Sequence, residues 1–354
     1  MKPISTLPSR CRGFTLIEFM IASALGLLML ASLAAVFANS SQARAELEKN
    51  GQMISNGRSA LELMNEDLRM AGYMAEFDTT VLTSPATLPS GSQICPSGAG
   101  VVDLDELKSA MMLHVQGINN VTGTGYPCLT DVKPGTDIVL VRRASSCTTA
   151  EATCQTGPFV QASLCSEPAA GAANLELSFV PTTNAEYAAH YFLLGSSTGA
   201  MTLHKTNCTT LNDVYQYQVH IYFVANNHEA GDGIPTLKRA HLEETSFTIV
   251  PMVEGVENMQ IEYGLDSTAT GVPTSYIADP AAGAIASVAV ENWRSVVGAK
   301  VHLLMRNTLA SGGYTDNRTY TLGDVTVTAP NDAFKRRLYS TTVRFASPAW
   351  RRTP

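Results

Sequence analysis

The sequence predicts an α+β protein in which one long N-terminal α-helix packs on a C-terminal domain of antiparallel β-sheet. Three observations lead there. Residues 19–38, FMIASALGLLMLASLAAVFA, run for twenty positions without a charge. A proline-free stretch follows from Ala38 to Phe77, with Leu47, Ile54, Leu61 and Leu68 seven apart. Beyond residue 136 the chain breaks into short apolar or alternating segments separated by Gly, Pro, Asn and Asp, the pattern of strands and turns.

The apolar run is long enough to cross a bilayer as a helix, which takes roughly 20 residues. Residues 1–13 precede it and carry Lys2, Arg10 and Arg12 but no acid. The positive-inside rule therefore keeps the N-terminus cytoplasmic and exports the remainder. A secretory signal differs, having a shorter apolar core and an A-x-A-like cleavage site. A plain signal anchor leaves Glu18 unexplained, because a carboxylate at the centre of a membrane helix costs roughly 2.5–3.5 kcal/mol and so demands a partner.

The string Gly13-Phe14-Thr15-Leu16-Ile17-Glu18, after Arg12 and before the apolar run, resembles the class III signal of type IV pilins and type II secretion pseudopilins. The resemblance implies a leader, residues 1–13, removed by a prepilin peptidase that cuts after Gly13. Phe14 then becomes the N-methylated first residue, and Glu18 neutralises the N-terminal ammonium of a neighbouring subunit. Such charges tolerate burial when paired. The implied fold is the pilin-like ladle: a helix over 14–77, with 14–38 in the membrane or filament core, and a globular α+β domain over 78–354. That helix would be roughly 95 Å long at 1.5 Å per residue. Its second half is amphipathic, with Ala60, Met64 and Ala71 beside the heptad leucines and Arg44, Glu46, Glu48, Arg58, Glu62, Glu66 and Arg69 at polar positions. Glycines 51 and 57 weaken the alternative of a coiled coil. No proline lies between the leader and Pro85, unlike in many major pilins, which points to a minor pilin or pseudopilin.

Composition fits an exported chain. The 354 residues are 45% hydrophobic, enough for a sizeable core in one large or two small domains. Losing three bases with the leader takes the net charge from −7 to about −10, so nucleic acid is not an expected partner. Cys11 leaves with the leader, and six cysteines remain as candidate disulfide residues: Cys95, Cys128, Cys147, Cys154, Cys165 and Cys208. Six allow fifteen pairings, and the sequence does not choose among them. No C-x-x-C pair suggests zinc.

Along the domain, Asp103–Val115 reads as a helix. Strands are expected at Asp137–Arg142, Glu176–Val180, Tyr191–Leu194, Met201–Lys205, Val219–Ala225, Thr245–Val250, Met259–Tyr263, Ala299–Met305, Arg318–Leu322 and Arg337–Phe345. Residues 191–205 and 222–239 each read as a hairpin around a Gly-rich loop, and 279–290 as a surface loop or short helix. VENMQIEYGLD (256–266), WRSVVGAKVHLLMRN (293–307) and FKRRLYSTTVRF (334–345) are similar to the strands of PilW-type minor pilins. That resemblance implies a non-enzymatic function: priming type IV pilus assembly and incorporation near the filament tip. A type II secretion minor pseudopilin is the alternative. The implied partners are other minor pilins, the major pilin and a tip adhesin, with the inner membrane holding the chain before it reaches the extracellular pilus. No cofactor is implied.

Other motifs read blandly. Gly195–Gly199 fits G-x-S-x-G around Ser197, but a nucleophile elbow needs a following helix, and AMTLHKT reads as a returning strand. The seven histidines form no metal-binding group. The loop Glu229–Gly233 offers oxygens that calcium could use but lacks the spaced ligands of an EF-hand, and it reads as a solvated turn. Lys335-Arg336-Arg337 and Arg351-Arg352 read as solvated strand ends or subunit contacts.

Overall fold

The computed structural model describes residues 13–77, 79, 95, 102–165, 192–328 and 331–352. It divides into two units, one ending at Gly51 and the other beginning at Gln52. Among the described residues, helix α1, Leu16–Arg69, supplies the regular structure of the first unit and the opening segment of the second.

In the first unit the apolar side chains of α1 are exposed, from Leu16 at 81% to Phe37 at 76%. In the second, α1 buries Met53, Gly57, Ala60, Met64 and Leu68, a spacing of three and four that marks one helix face. The heptad leucines are offset from it: Leu47 is exposed and only Leu68 is fully buried. Gly57 is needed on this face, because a Cβ there would stand 2.6 Å from the Tyr339 ring. The helix stops at Arg69, earlier than the expected Phe77. Gly72 turns into the left-handed region at φ 75°. Its N–H then donates to the Arg142 carbonyl, so the backbone is handed to a strand.

That strand belongs to a seven-stranded antiparallel sheet. Its members are β1 (Val115–Ile118), β2 (Ile138–Thr148), β3 (Phe159–Ala162), β4 (Phe192–Gly195), β5 (Tyr215–Ala225), β6 (Thr236–Glu243) and β7 (Ser246–Glu254). They run in the order β1-β2-β5-β3-β4, with β6 also pairing β5 and β7 pairing β6. A second sheet takes the order β13-β10-β8-β9, from β8 (Val256–Leu265), β9 (Ser275–Ile277), β10 (Val296–Arg306) and β13 (Arg336–Arg344). The hairpin β11 (Tyr320–Leu322) and β12 (Val325–Val327) completes the strands. Short helices are α2 (Leu104–Ala110), α3 (Ala286–Arg294) and α4 (Ala346–Arg351). One core joins α1 to both sheets, with Tyr217, Tyr222, Phe223, Tyr263 and Phe345 wholly buried.

Two expected elements differ for visible reasons. The helix at Asp103–Val115 ends at Ala110, because Arg142 Nη1 and Arg142 N take the carbonyls of Leu113 and His114. Asp103 caps its start by accepting from Asp105 N. Met201–Lys205 is not a strand, and residues 191–205 are not a hairpin. The buried Gln161 side chain accepts from Leu203 N at 2.9 Å and donates to Leu203 O at 3.1 Å, standing in for a neighbouring strand. The hairpin at 222–239 is present, with Ala225 opposite Thr236. The stretch 279–290 ends within α3. The strand expected at Glu176–Val180 lies outside the described residues.

Three disulfides are formed: Cys95–Cys128, Cys147–Cys154 and Cys165–Cys208. They close chain separations of 33, 7 and 43 residues, all within the second unit.

Candidate functional site

The N-terminal motif is built as a helix cap. Thr15 precedes the first helical residue, and Glu18 is the third. Thr15 Oγ1 accepts from Glu18 N at 3.3 Å, while the Glu18 carboxylate accepts from both Thr15 N and Thr15 Oγ1 at 2.9 Å. This reciprocal arrangement is a capping box, which satisfies backbone donors that the first helical turn otherwise leaves open. Its pattern, Thr-x-x-Glu ahead of an apolar run, is the local sequence signature of a helix start.

Glu18 is thus held at the N-terminal end of the helix dipole, where negative charge is stabilised. The carboxylate remains exposed. Gly13 has open space where a Cβ would stand, and Phe14 is 91% exposed. Beyond the cap, no residue in the most apolar window of α1 is buried, and the helix is long and apolar enough to cross a membrane.

A second cluster secures the same helix inside the globular unit. Asp67 is buried, yet its carboxylate accepts from Arg143 Nε at 2.6 Å, His220 Nδ1 at 2.6 Å and Tyr222 Oη at 2.9 Å. Burial opposes ionisation of Asp67, but the His220 hydrogen bond and the Arg143 charge outweigh it and hold the carboxyl well below its usual range. Burial likewise lowers the His220 pKa, so a neutral imidazole donates to a charged carboxylate. Asp67 gave no sequence signal, being one acid among several on a polar helix.

The remaining candidates take structural roles. Ser197 caps a single 3-10 turn, its Oγ accepting from Gly199 N at 3.2 Å, with no helix following as an elbow requires. Asp232 spends its carboxylate on the N–H groups of His228, Glu229 and Ile234 within its own loop. Among the described residues no group of three or more His, Cys, Asp or Glu is placed to hold a metal.

Arg337 is exposed at the start of β13, as a solvated strand end is expected to be, but its neighbour Arg336 is not. Arg336 is 3% exposed and pairs with Glu257, Asp332 and Asp316, because a guanidinium taken into the core needs carboxylates around it. Arg351 donates to Thr79 Oγ1 and the Phe77 carbonyl, and Arg352 to the carbonyls of Asp266 and Arg294.

Comparison with known families places both ends of the chain. Residues 8–34 match the Prokaryotic N-terminal methylation motif, which covers Gly13, Phe14, the cap and most of the apolar run. Residues 221–347 match the Type IV Pilus-assembly protein W family, and they hold the whole four-stranded sheet. The chain is PilW-like. No curated protein and no solved structure matches it. The family matched over residues 221–347 is one of pilus-assembly proteins, and the methylation motif together with the long apolar helix fits anchoring in the inner membrane.

Proposed function

We propose that this chain is a minor pilin that helps initiate type IV pilus assembly and enters the filament near its tip. A prepilin peptidase removes residues 1–13, cutting after Gly13, and methylates Phe14. The processed helix waits in the inner membrane with its N-terminus cytoplasmic and its domain periplasmic. On assembly Glu18 pairs with the ammonium of a neighbouring pilin. Other minor pilins, the major pilin and a tip adhesin are the partners, and no catalysis or cofactor is involved.

The observation that carries this reading is the capped, wholly exposed apolar helix with a carboxylate at its first turn. An exposed apolar surface of this size needs a lipid or protein environment, and a carboxylate beside it needs a cation once water is excluded. A type II secretion pseudopilin shares that helix. The match over residues 221–347 favours the pilus.

Substitution in the native host tests it. Glu18→Ala is expected to be cleaved normally yet nearly absent from sheared pili. Gly13→Val is expected to run as uncut precursor, since a branched side chain crowds the peptidase site. Wild-type levels of the Glu18 variant in pili would show that the charge pair is not required.

A further inference from the structure

The two tryptophans are treated oppositely. Trp293 is buried against Tyr263, with ring centroids 4.8 Å apart, whereas Trp350 on α4 is 76% exposed. Trp350, Ala346, Arg344 and Arg69 line an open groove of about 300 Å3. Both arginines are exposed. Several arginines of this unit meet carboxylates: Arg143 meets Asp67, Arg306 and Arg336 meet Glu257, and Arg318 meets Asp316. Among the described residues Arg344 donates only to the Gly271 carbonyl and Arg69 makes no side-chain hydrogen bond, and neither meets a carboxylate. On a chain of net charge −7, an exposed indole flanked by two such guanidiniums is a local reversal of sign.

We propose that this groove docks an acidic segment of another protein. Trp and Arg are the residues most enriched where binding energy concentrates, the indole for the area it buries and the guanidinium for its fixed fork of donors. A carboxylate accepts two N–H bonds from one guanidinium in a planar pair. An aliphatic side chain beside it would cover the indole. A single-stranded nucleic acid is disfavoured, because it needs successive aromatic platforms along a basic track, and the surrounding chain is acidic. This proposal is independent of the filament reading, since it concerns only residues of the globular unit.

The test places a photoreactive benzoylphenylalanine at position 350 of the full chain in its native host, followed by irradiation and identification of the adduct. The expected product is a crosslink to a peptide rich in Asp and Glu. Its yield should fall at least about tenfold in Arg69→Glu/Arg344→Glu and persist in Arg69→Lys/Arg344→Lys, which keeps both charges. Protease resistance of each variant establishes that it is folded. No adduct, an adduct with nucleic acid or lipid, or a protein adduct unaffected by charge reversal would overturn the proposal.

Discussion

The carboxylate of Asp67 on the long helix accepts a 2.6 Å hydrogen bond from the imidazole of His220, 153 residues further along the chain. With Arg143 and Tyr222 it forms a polar fastening between α1 and the large sheet, beside the bond from Asn56 to the Glu254 carbonyl.

Removing Asp67 should therefore cost more than its size suggests. Asp67→Ala leaves Arg143 without its carboxylate and His220 and Tyr222 without an acceptor, a loss of about 3–5 kcal/mol. Asp67→Asn, which retains one acceptor oxygen, should lose less. Urea unfolding of the full chain in detergent measures both. A cost below about 1 kcal/mol for the alanine variant would mean that the apolar face alone holds the helix.

Acid sensitivity should come largely from buried histidines. His114 donates from Nε2 to the Val296 carbonyl at 2.6 Å, and burial pushes its pKa down to about 3. A histidine depressed in the folded state adds stability that is complete above its unfolded value, about 6.5, and is lost as pH falls from there toward 3. The slope is about 1.4 kcal/mol per pH unit for each such group. His220 acts in the same direction. Asp137 acts in the opposite one, since burial raises it to about 7 and its contribution grows as pH falls. His114→Gln, which keeps an N–H donor but cannot be charged, should flatten the dependence relative to wild type between pH 6 and 4. An unchanged slope would place the sensitivity elsewhere.

Gly57 should tolerate no side chain while Tyr339 keeps its ring. Gly57→Ala is expected to cost about 1–3 kcal/mol through overpacking, in spite of alanine's better helix propensity. Pairing it with Tyr339→Leu should recover part of the loss. If Gly57→Ala alone stabilises the protein, the close approach of α1 to β13 is not as described.

The disulfides should differ in weight according to the chain each one closes. On the loop-entropy view, breaking Cys147–Cys154, with a separation of 7, costs about 1.5 kcal/mol less than breaking Cys165–Cys208, with a separation of 43. Unfolding of the two Cys→Ser pairs, compared under one buffer, decides the order.

Much of this architecture was legible because its signals are local. The uncharged run at 19–38, the glycine–phenylalanine boundary at 13 and 14 and the short apolar runs of the central strands are each readable within a short window. What escaped reading depends on partners distant in sequence. Asp67 looks like one more acid on a polar helix until His220 and Arg143 are beside it. Arg336 looks like part of a solvated basic triplet until Glu257 and Asp332 close around it. Residues 201–205 carry a strand pattern, but the side chain of Gln161 occupies the backbone groups that a neighbouring strand would use. The disulfide pairing was open for the same reason, since spacing alone ranks none of the fifteen alternatives. Thr15 is the exception, because its capping box was local and simply unread.

The most direct test of the central claim is deletion of the gene in its native host, with sheared surface pili and type II-secreted protein quantified side by side. The account predicts loss of pili with secretion intact, restored by the wild-type gene but not by Glu18→Ala. Intact pili with failed secretion would contradict it and assign the chain to the pseudopilins.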